Sequence, residues 1–303
     1  MDKIKIGIPR ALFYYYFNDL WELFFKEFNI ELVISPKTNK SIIENGIKYS
    51  TDEMCLSLKT YIGHINYLKD KCDYILIPRI DNYGSTNQTC TNFLAIYDII
   101  NNIFDVKILD YNINLKTQET ELKGLINIVT KFGYSSEYAT KVYKKSIIKY
   151  YDKRNRLIKN NLKKLDSSKI KILLIGHPYN MYDEIIGKDI IKNLEKNNIE
   201  IIYSDLFDSN KTNIESRKLS CGLYFKYNKE NIGCIPIIED KIDGIIFIST
   251  FPCGPDSLVN ELVFRKINKP YLNLIIDDMD GSAGIETRIE SFIDIIRGEY
   301  TYE

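Results

Sequence analysis

Three cysteines of this 303-residue chain occupy the same kind of position, the point where a loop becomes a predicted helix. Cys253 lies between the apolar run 244–250 and a helical pattern that begins at Leu258. Cys90 opens a helical pattern after a loop, and Cys55 does so after a polar segment. A helix N-terminus favours the thiolate form of cysteine, which binds metals and acts as a nucleophile. Both chemistries are therefore open, as is a purely structural role for three separate thiols.

The absence of the usual cysteine motifs argues against several common kinds of metal and redox site. The chain has no Cys-x-x-Cys pair, so a zinc ribbon, a ferredoxin-type cluster and a thioredoxin-type couple all lack their signatures. The remaining cysteines, Cys72, Cys221 and Cys234, have the surroundings of ordinary thiols. A cysteine nucleophile would need a histidine base, and nothing in the sequence places His64 or His177 beside a cysteine.

Four further residues lie where they could support such a site. His64 comes nine positions after Cys55 on the same predicted helix, and Ser257 lies in the helix start that follows Cys253. Arg79 and His177 each follow a predicted strand, and in α/β sheets ligands collect at the carboxyl ends of strands. A purely structural role is the alternative, such as a core histidine whose ring nitrogens are hydrogen-bonded or an arginine in a salt bridge.

Composition limits the class of protein. Hydrophobic residues make up 45% of the chain and charged residues 27%, with a formal net charge of zero, so neither nucleic acid nor an anionic membrane is an expected partner. No apolar run has the length of a membrane span, and the first residues form a strand pattern rather than a signal peptide. We therefore expect a cytoplasmic protein. The P-loop motif of many ATPases is absent.

Strand-like and helical patterns alternate along both halves, which predicts an α/β protein with parallel sheets. The prediction is two tandem Rossmann- or flavodoxin-like domains with helices on both faces of each sheet. The first domain is expected at residues 1–116, a charged helical connector at 117–168, and the second domain at 169–303. The basic part of the connector is either a solvated helix or a docking face for an acidic partner.

The order of several short strings resembles one protein family over nearly the whole chain. The strings that carry the resemblance are Ile8–Leu12, Ser35–Lys40, Glu53–Cys55, Gly63–His64, Ile77–Arg79, Cys90, Gly176–Asn180 and, most specifically, Phe251–Ser257. The family that they resemble comprises uncharacterised CoA-enzyme activase-related proteins (DUF2229-like), related to the subunits of 2-hydroxyacyl-CoA dehydratase and benzoyl-CoA reductase.

The resemblance implies a [4Fe–4S] cluster held by Cys55, Cys90 and Cys253, with one iron open to a substrate oxygen. It also implies a separate ATP-hydrolysing activator that supplies electrons, an acyl-CoA substrate, and assembly as a homodimer or with a related cluster subunit. The protein would then be a lyase or oxidoreductase component that dehydrates or reduces an acyl-CoA or another small molecule. An accessory protein that only carries a cluster or electrons, and a metal-free α/β binding protein, are the alternatives.

Overall fold

The computed structural model describes residues 3–278 and 282–298, apart from the side chains of residues 282 and 283. Its strands are β1 (Ile4–Ile8), β2 (Ile30–Ile34), β3 (Tyr74–Leu76), β4 (Arg79–Asn82), β5 (Ile108–Leu109), β6 (Asn112–Asn114), β7 (Lys171–Ile175), β8 (Glu200–Tyr203), β9 (Gly244–Thr250) and β10 (Tyr271–Ile276). Its helices are α1 (Tyr14–Phe25), α2 (Lys40–Lys48), α3 (Leu56–Leu68), α4 (Thr91–Ile103), α5 (Glu121–Thr130), α6 (Ser136–Lys163), α7 (Pro178–Met181), α8 (Lys188–Lys196), α9 (Ser209–Glu215), α10 (Lys226–Ile232), α11 (Ile235–Ile238), α12 (Gly254–Phe264) and α13 (Ser282–Arg297). None of the helices in this part of the chain combines the length and the hydropathy that crossing a bilayer requires.

Packing divides the chain into two compact units. The first contains Met1–Arg154 together with Tyr224–Lys226, and the second contains Asn155–Leu223 together with Tyr227–Glu303. The long helix α6 contributes to both. The domain limits predicted from the sequence, at residues 116 and 168, stay a prediction.

The first unit is built on a four-stranded sheet in the order β2-β1-β3-β5, with every pair of strands parallel. The central strand β1 has neighbours on both edges, and its residues Ile6 and Ile8 are fully buried, whereas Lys5 is exposed. The helix α1 packs inward through Leu20, Trp21, Phe24 and Phe25. Burial of each such side chain contributes about 1.5–3 kcal/mol relative to exposure.

The second unit repeats this plan with the order β10-β9-β7-β8, again parallel throughout. All seven residues of β9 are buried, as expected for a strand covered on both faces. The predicted α/β class with two tandem parallel sheets is therefore confirmed.

A small second sheet in the first unit differs from the prediction. Residues 79–89 were expected to form a loop, but Arg79–Asn82 pairs in parallel with Asn112–Asn114 as β4 and β6. Both strands are short and polar, so they lack the apolar alternation that marks a strand in a sequence.

The strand order creates a switch point in each sheet. From β1 the chain moves to β2 on one side and later to β3 on the other, and from β7 it moves to β8 and later to β9. In open α/β sheets the crevice outside the carboxyl ends of two such strands is the usual ligand site. The residues that follow these ends are Arg10 and Arg79 in the first unit, and His177 and Cys253 in the second.

Helices α2 and α3 cross at two glycines, which lets their backbones touch. A Cβ atom on Gly63 would lie 2.0 Å from the carbonyl oxygen of Ile42, and one on Gly46 would lie 2.0 Å from that of Lys59. Real Cβ atoms do not approach backbone so closely, so only glycine allows this crossing. The crossing holds α3, whose N-terminus carries Cys55.

We expect Gly63→Ala to lower the free energy of unfolding by at least about 2 kcal/mol, because two backbones would have to separate. Urea unfolding monitored by circular dichroism measures this loss. The control is Gly222→Ala, where a Cβ would meet no atom within 4 Å; surface changes of this kind stay within about 0.5 kcal/mol. Equal stability of the two variants would contradict the close crossing.

A buried carboxyl group ties three helices of the first unit together. Tyr111 donates from its hydroxyl to Glu121 at 3.2 Å and accepts a hydrogen bond from the indole nitrogen of Trp21 at 3.2 Å. Tyr143 of α6 donates a further hydrogen bond to Glu121. Burial raises the pKa of Glu121 to about 7, although both tyrosine hydrogen bonds act to lower it. The carboxyl therefore ionises near neutral pH.

We expect Glu121→Gln to stabilise the protein above pH 7 and to have little effect near pH 4.5. The pKa of Glu121 is about 7 in the folded state and 4.5 as an unperturbed group. Protonated Glu121 therefore makes its full contribution to the free energy of unfolding below pH 4.5, and the wild-type protein loses this contribution as the pH rises to 7. The loss is at most about 3 kcal/mol. Urea unfolding between pH 4.5 and 8 measures it.

The matched control is Glu119→Gln on the preceding turn. Hydrogen bonds from Asn112 and Thr117 lower the pKa of Glu119, so its ionised form is the favoured one. Its replacement should bring no gain at high pH. A gain of equal size in both variants would show that the effect does not come from burial of Glu121.

Candidate functional site

Cys55, Cys90 and Cys253 share one local geometry, in agreement with their predicted positions. Each is the N-cap residue of a helix of 11 to 13 residues, namely α3, α4 and α12. All three are half-buried, and none of the sulfurs caps a backbone amide of its helix. The unpaired amides of a first helical turn favour negative charge nearby, which suits a thiolate.

The other cysteines have different surroundings. Cys72 donates from its sulfur to the carbonyl oxygen of Leu68 at 3.3 Å, and burial raises its pKa. Cys234 precedes the one-turn helix α11, but it is fully buried, donates to the carbonyl oxygen of Asn231 at 2.9 Å, and has a pKa raised by burial. Cys221 is exposed. These are the thiols that the sequence assigned to ordinary roles.

The turn before Cys90 is held by polar contacts with the small β4–β6 sheet. The hydroxyl of Thr89 donates to the carbonyl oxygens of Ile80 and Asp81. The Asp81 carboxylate in turn accepts hydrogen bonds from the amides of Asn82 and Asn114, at 3.0 and 2.8 Å. The second sheet, which the sequence analysis did not predict, therefore fixes the approach to Cys90.

In the second unit, Cys253 lies beside a buried polar network centred on Asp256. The Asp256 carboxylate accepts a hydrogen bond from the amide of Asn228 at 2.7 Å, contacts the Nε2 atom of His177 at 3.1 Å, and is also hydrogen-bonded by Cys253. Burial acts to raise the pKa of Asp256, but His177, Asn228 and Cys253 outweigh it and hold the pKa below its usual value. The His177 ring stacks on Tyr179 with 4.8 Å between centroids.

This network brings together two candidates that the sequence could not connect, His177 and Cys253. The linking residue, Asp256, was not among the predicted site residues. It is three positions after the N-cap Cys253, which is the spacing of a capping box and could have identified it. Asn228 carries no comparable local signal, because it reaches Asp256 from 28 residues away.

The remaining candidates have well-defined partners. Ser257 is exposed, and its backbone amide donates to the carbonyl oxygen of Cys253 at 3.1 Å. Arg79 forms ion pairs with Asp98 and Asp110 at 3.6 and 3.9 Å, and its guanidinium lies 3.8 Å from the ring centroid of Tyr97. Its positive charge is therefore neutralised within the first unit.

His64 is fully buried and forms hydrogen bonds through both ring nitrogens. Its Nδ1 atom lies 2.8 Å from the hydroxyl of Ser35, and its Nε2 atom lies 3.0 Å from the hydroxyl of Thr38. Burial, with a smaller contribution from the charge of Arg10, lowers the pKa of His64 to about 3. His64 is therefore a neutral core histidine at physiological pH.

Cysteine thiolates are the usual ligands of iron–sulfur clusters, so each of these three half-buried thiols has the chemistry of a cluster ligand. The first unit supplies Cys55 and Cys90, and the second supplies Cys253. Among residues 3–278 and 282–298, no group of three or more His, Cys, Asp or Glu side chains stands close enough together to hold a metal ion.

Solved structures resemble this chain only weakly. They include the SBP FpvC of P. aeruginosa in complex with Ni2+, with 14% identity over 99% of each chain and a TM-score of 0.29. A Mn-bound periplasmic metal-binding protein of candidatus Liberibacter asiaticus gives 11% identity over 98% of this chain and 100% of its own, with a TM-score of 0.29. ZnuA gives 8% identity over 98% of this chain and 99% of its own, with a TM-score of 0.28.

At such low TM-scores these likenesses carry no argument about fold or metal binding. A search of curated proteins gave no match. A family model does match, over residues 5–207 and thus well over half of the chain. This chain therefore belongs to the family described as the CoA enzyme activase uncharacterised domain (DUF2229).

Proposed function

We propose that this protein is an iron–sulfur protein of the 2-hydroxyacyl-CoA dehydratase-like type, with a [4Fe–4S] cluster bound by Cys55, Cys90 and Cys253. The observation that carries the proposal is the shared geometry of these residues. Each is a half-buried N-cap cysteine whose sulfur does not cap its helix. Membership of the activase-associated family supports the same conclusion.

In this proposal the three cysteines, as thiolates, bind three irons, and the helix N-termini stabilise their negative charge. When bound, the cluster would supply Lewis acidity or a low-potential electron at its open iron. The first unit would supply Cys55 and Cys90, and the second would supply Cys253. Cys253 must also release its hydrogen bond to Asp256 when it loses its proton.

The proposed reaction is dehydration or reduction of an acyl-CoA or another small molecule. A separate ATP-hydrolysing activator would be the electron donor, and the description of the family as CoA enzyme activase-associated supports this. A homodimer or a related cluster subunit would complete the assembly. The alternative is an accessory protein that carries the cluster or electrons without turnover of its own.

We expect anaerobically purified protein to be brown and to contain iron and sulfide, and alanine replacement of Cys55, Cys90 or Cys253 to remove more than half of the iron. Loss of one of three thiolate ligands leaves too few to retain the cluster. Iron and sulfide analysis with EPR spectroscopy of the dithionite-reduced protein makes the measurement.

Cys221→Ala and Cys72→Ala are the matched controls, since both thiols lie outside the proposed ligand set and both variants should keep their iron. Circular dichroism checks that each variant is folded. A colourless, iron-free wild-type protein would reject the proposal and favour a metal-free binding protein. An EPR signal that no acyl-CoA perturbs would favour the accessory role over an enzyme.

A further inference from the structure

The carboxyl end of β1 carries a cation at the switch point of the first sheet. Arg10 lies two residues beyond the end of β1. The strands β2 and β3, which follow β1 in the sequence, lie on opposite sides of it in the sheet. This is the crevice where open α/β sheets bind ligands. The cluster proposal above does not use it.

The Arg10 side chain is half-buried and held in one orientation. Its Nε atom donates to the carbonyl oxygen of Ser35 at 3.0 Å, and its backbone amide donates to the Ser35 hydroxyl at 2.8 Å. The guanidinium carbon lies 5.1 Å from the ring centroid of Tyr14, where the aromatic face attracts a cation. The guanidinium is therefore held by one hydrogen bond through Nε and by one aromatic contact.

No carboxylate pairs with Arg10 anywhere in the part of the chain that the structure describes. The groups that contact it, Ser35 and Tyr14, are uncharged. The nearby His64 is neutral at physiological pH, because its pKa is lowered to about 3. The carboxylates of Asp19 and Glu22 act on Tyr14 but form no ion pair with Arg10 among the described residues. Arg79, at the carboxyl side of the neighbouring strand β3, differs in this respect, since Asp98 and Asp110 both pair with it. The two arginines occupy similar places in the sheet, but only one has its charge compensated.

A half-buried guanidinium loses part of its hydration, and an anion that accepts its remaining hydrogen bonds offsets that cost. Two terminal nitrogens in a fixed plane match the two oxygens of a carboxylate or a phosphate. The adjacent turn is also strained, because Leu12 has a φ of 43°. Left-handed backbone at a bulky residue is uncommon and concentrates at ligand sites.

We propose that Arg10 binds an anionic group of a ligand, a carboxylate or a phosphate, in the crevice at the carboxyl ends of β1 and β3. Ser35 and Tyr14 orient the guanidinium, and neutral His64 leaves its charge uncompensated. The site belongs to the first unit alone. It does not depend on whether the protein holds a cluster.

The test uses the full-length wild-type protein and phenylglyoxal, which modifies accessible arginines. Peptide mapping follows the modification rate of each arginine with inorganic phosphate, with acetate, and with chloride at equal ionic strength. We expect phosphate or acetate to slow the modification of Arg10, by about tenfold at ten times the dissociation constant. Arg79 in the same map should show no such protection.

Protection by phosphate alone identifies a phosphate group, and protection by both anions identifies any compact oxyanion. If Arg10 is modified at the same rate in all three salts, or resists modification throughout, the proposal is wrong. A second measurement is the increase in melting temperature with phosphate or acetate. Arg10→Gln should abolish it, whereas Arg265→Gln, which removes an exposed charge elsewhere, should retain it.

Discussion

Burial of the central parallel strands on both faces constrains where the polar groups of this protein can lie. Every residue of β9 is buried, and so are Ile6 and Ile8 of β1. The buried positions of these strands do not suit a charged side chain, and in such sheets polar groups collect where the strands end. Cys253 and Arg10 both lie just beyond strand ends, those of β9 and β1.

A cysteine at the N-cap position makes three helices less stable than a good capping residue would. Elsewhere in the chain Asn39, Thr120 and Asp208 cap their helices through side-chain oxygens. A good capping residue contributes about 1 kcal/mol, which cysteine, a weak acceptor, does not supply. The chain gives up this contribution at Cys55, Cys90 and Cys253, which is consistent with a use for the sulfur other than capping.

The sequence predicted those features that depend on residues close together in the chain, namely most strands and the starts of several helices. The strand–loop–helix patterns placed Cys55 and Cys90 at the starts of their helices, and strand alternation predicted both parallel sheets. The helix after Cys253 was expected from Leu258 but begins at Gly254. The helix α1 begins only at Tyr14, because Leu12 takes a left-handed conformation that ordinary propensities do not anticipate. The contacts that position the site escaped prediction because they are long-range. Asn114 reaches Asp81 across 33 residues, and Asn228 reaches Asp256 across 28.

The two histidines show how surroundings decide what a residue type can do. His177 contacts the ionised carboxylate of Asp256, and this contact helps to hold the pKa of Asp256 below its usual value. His64 has only hydroxyl partners and a nearby guanidinium, and burial lowers its pKa to about 3. If a carboxylate lay beside His64, it would also neutralise the nearby charge of Arg10. Because the partners of His64 are hydroxyl groups instead, the positive charge of Arg10 remains at the carboxyl end of β1.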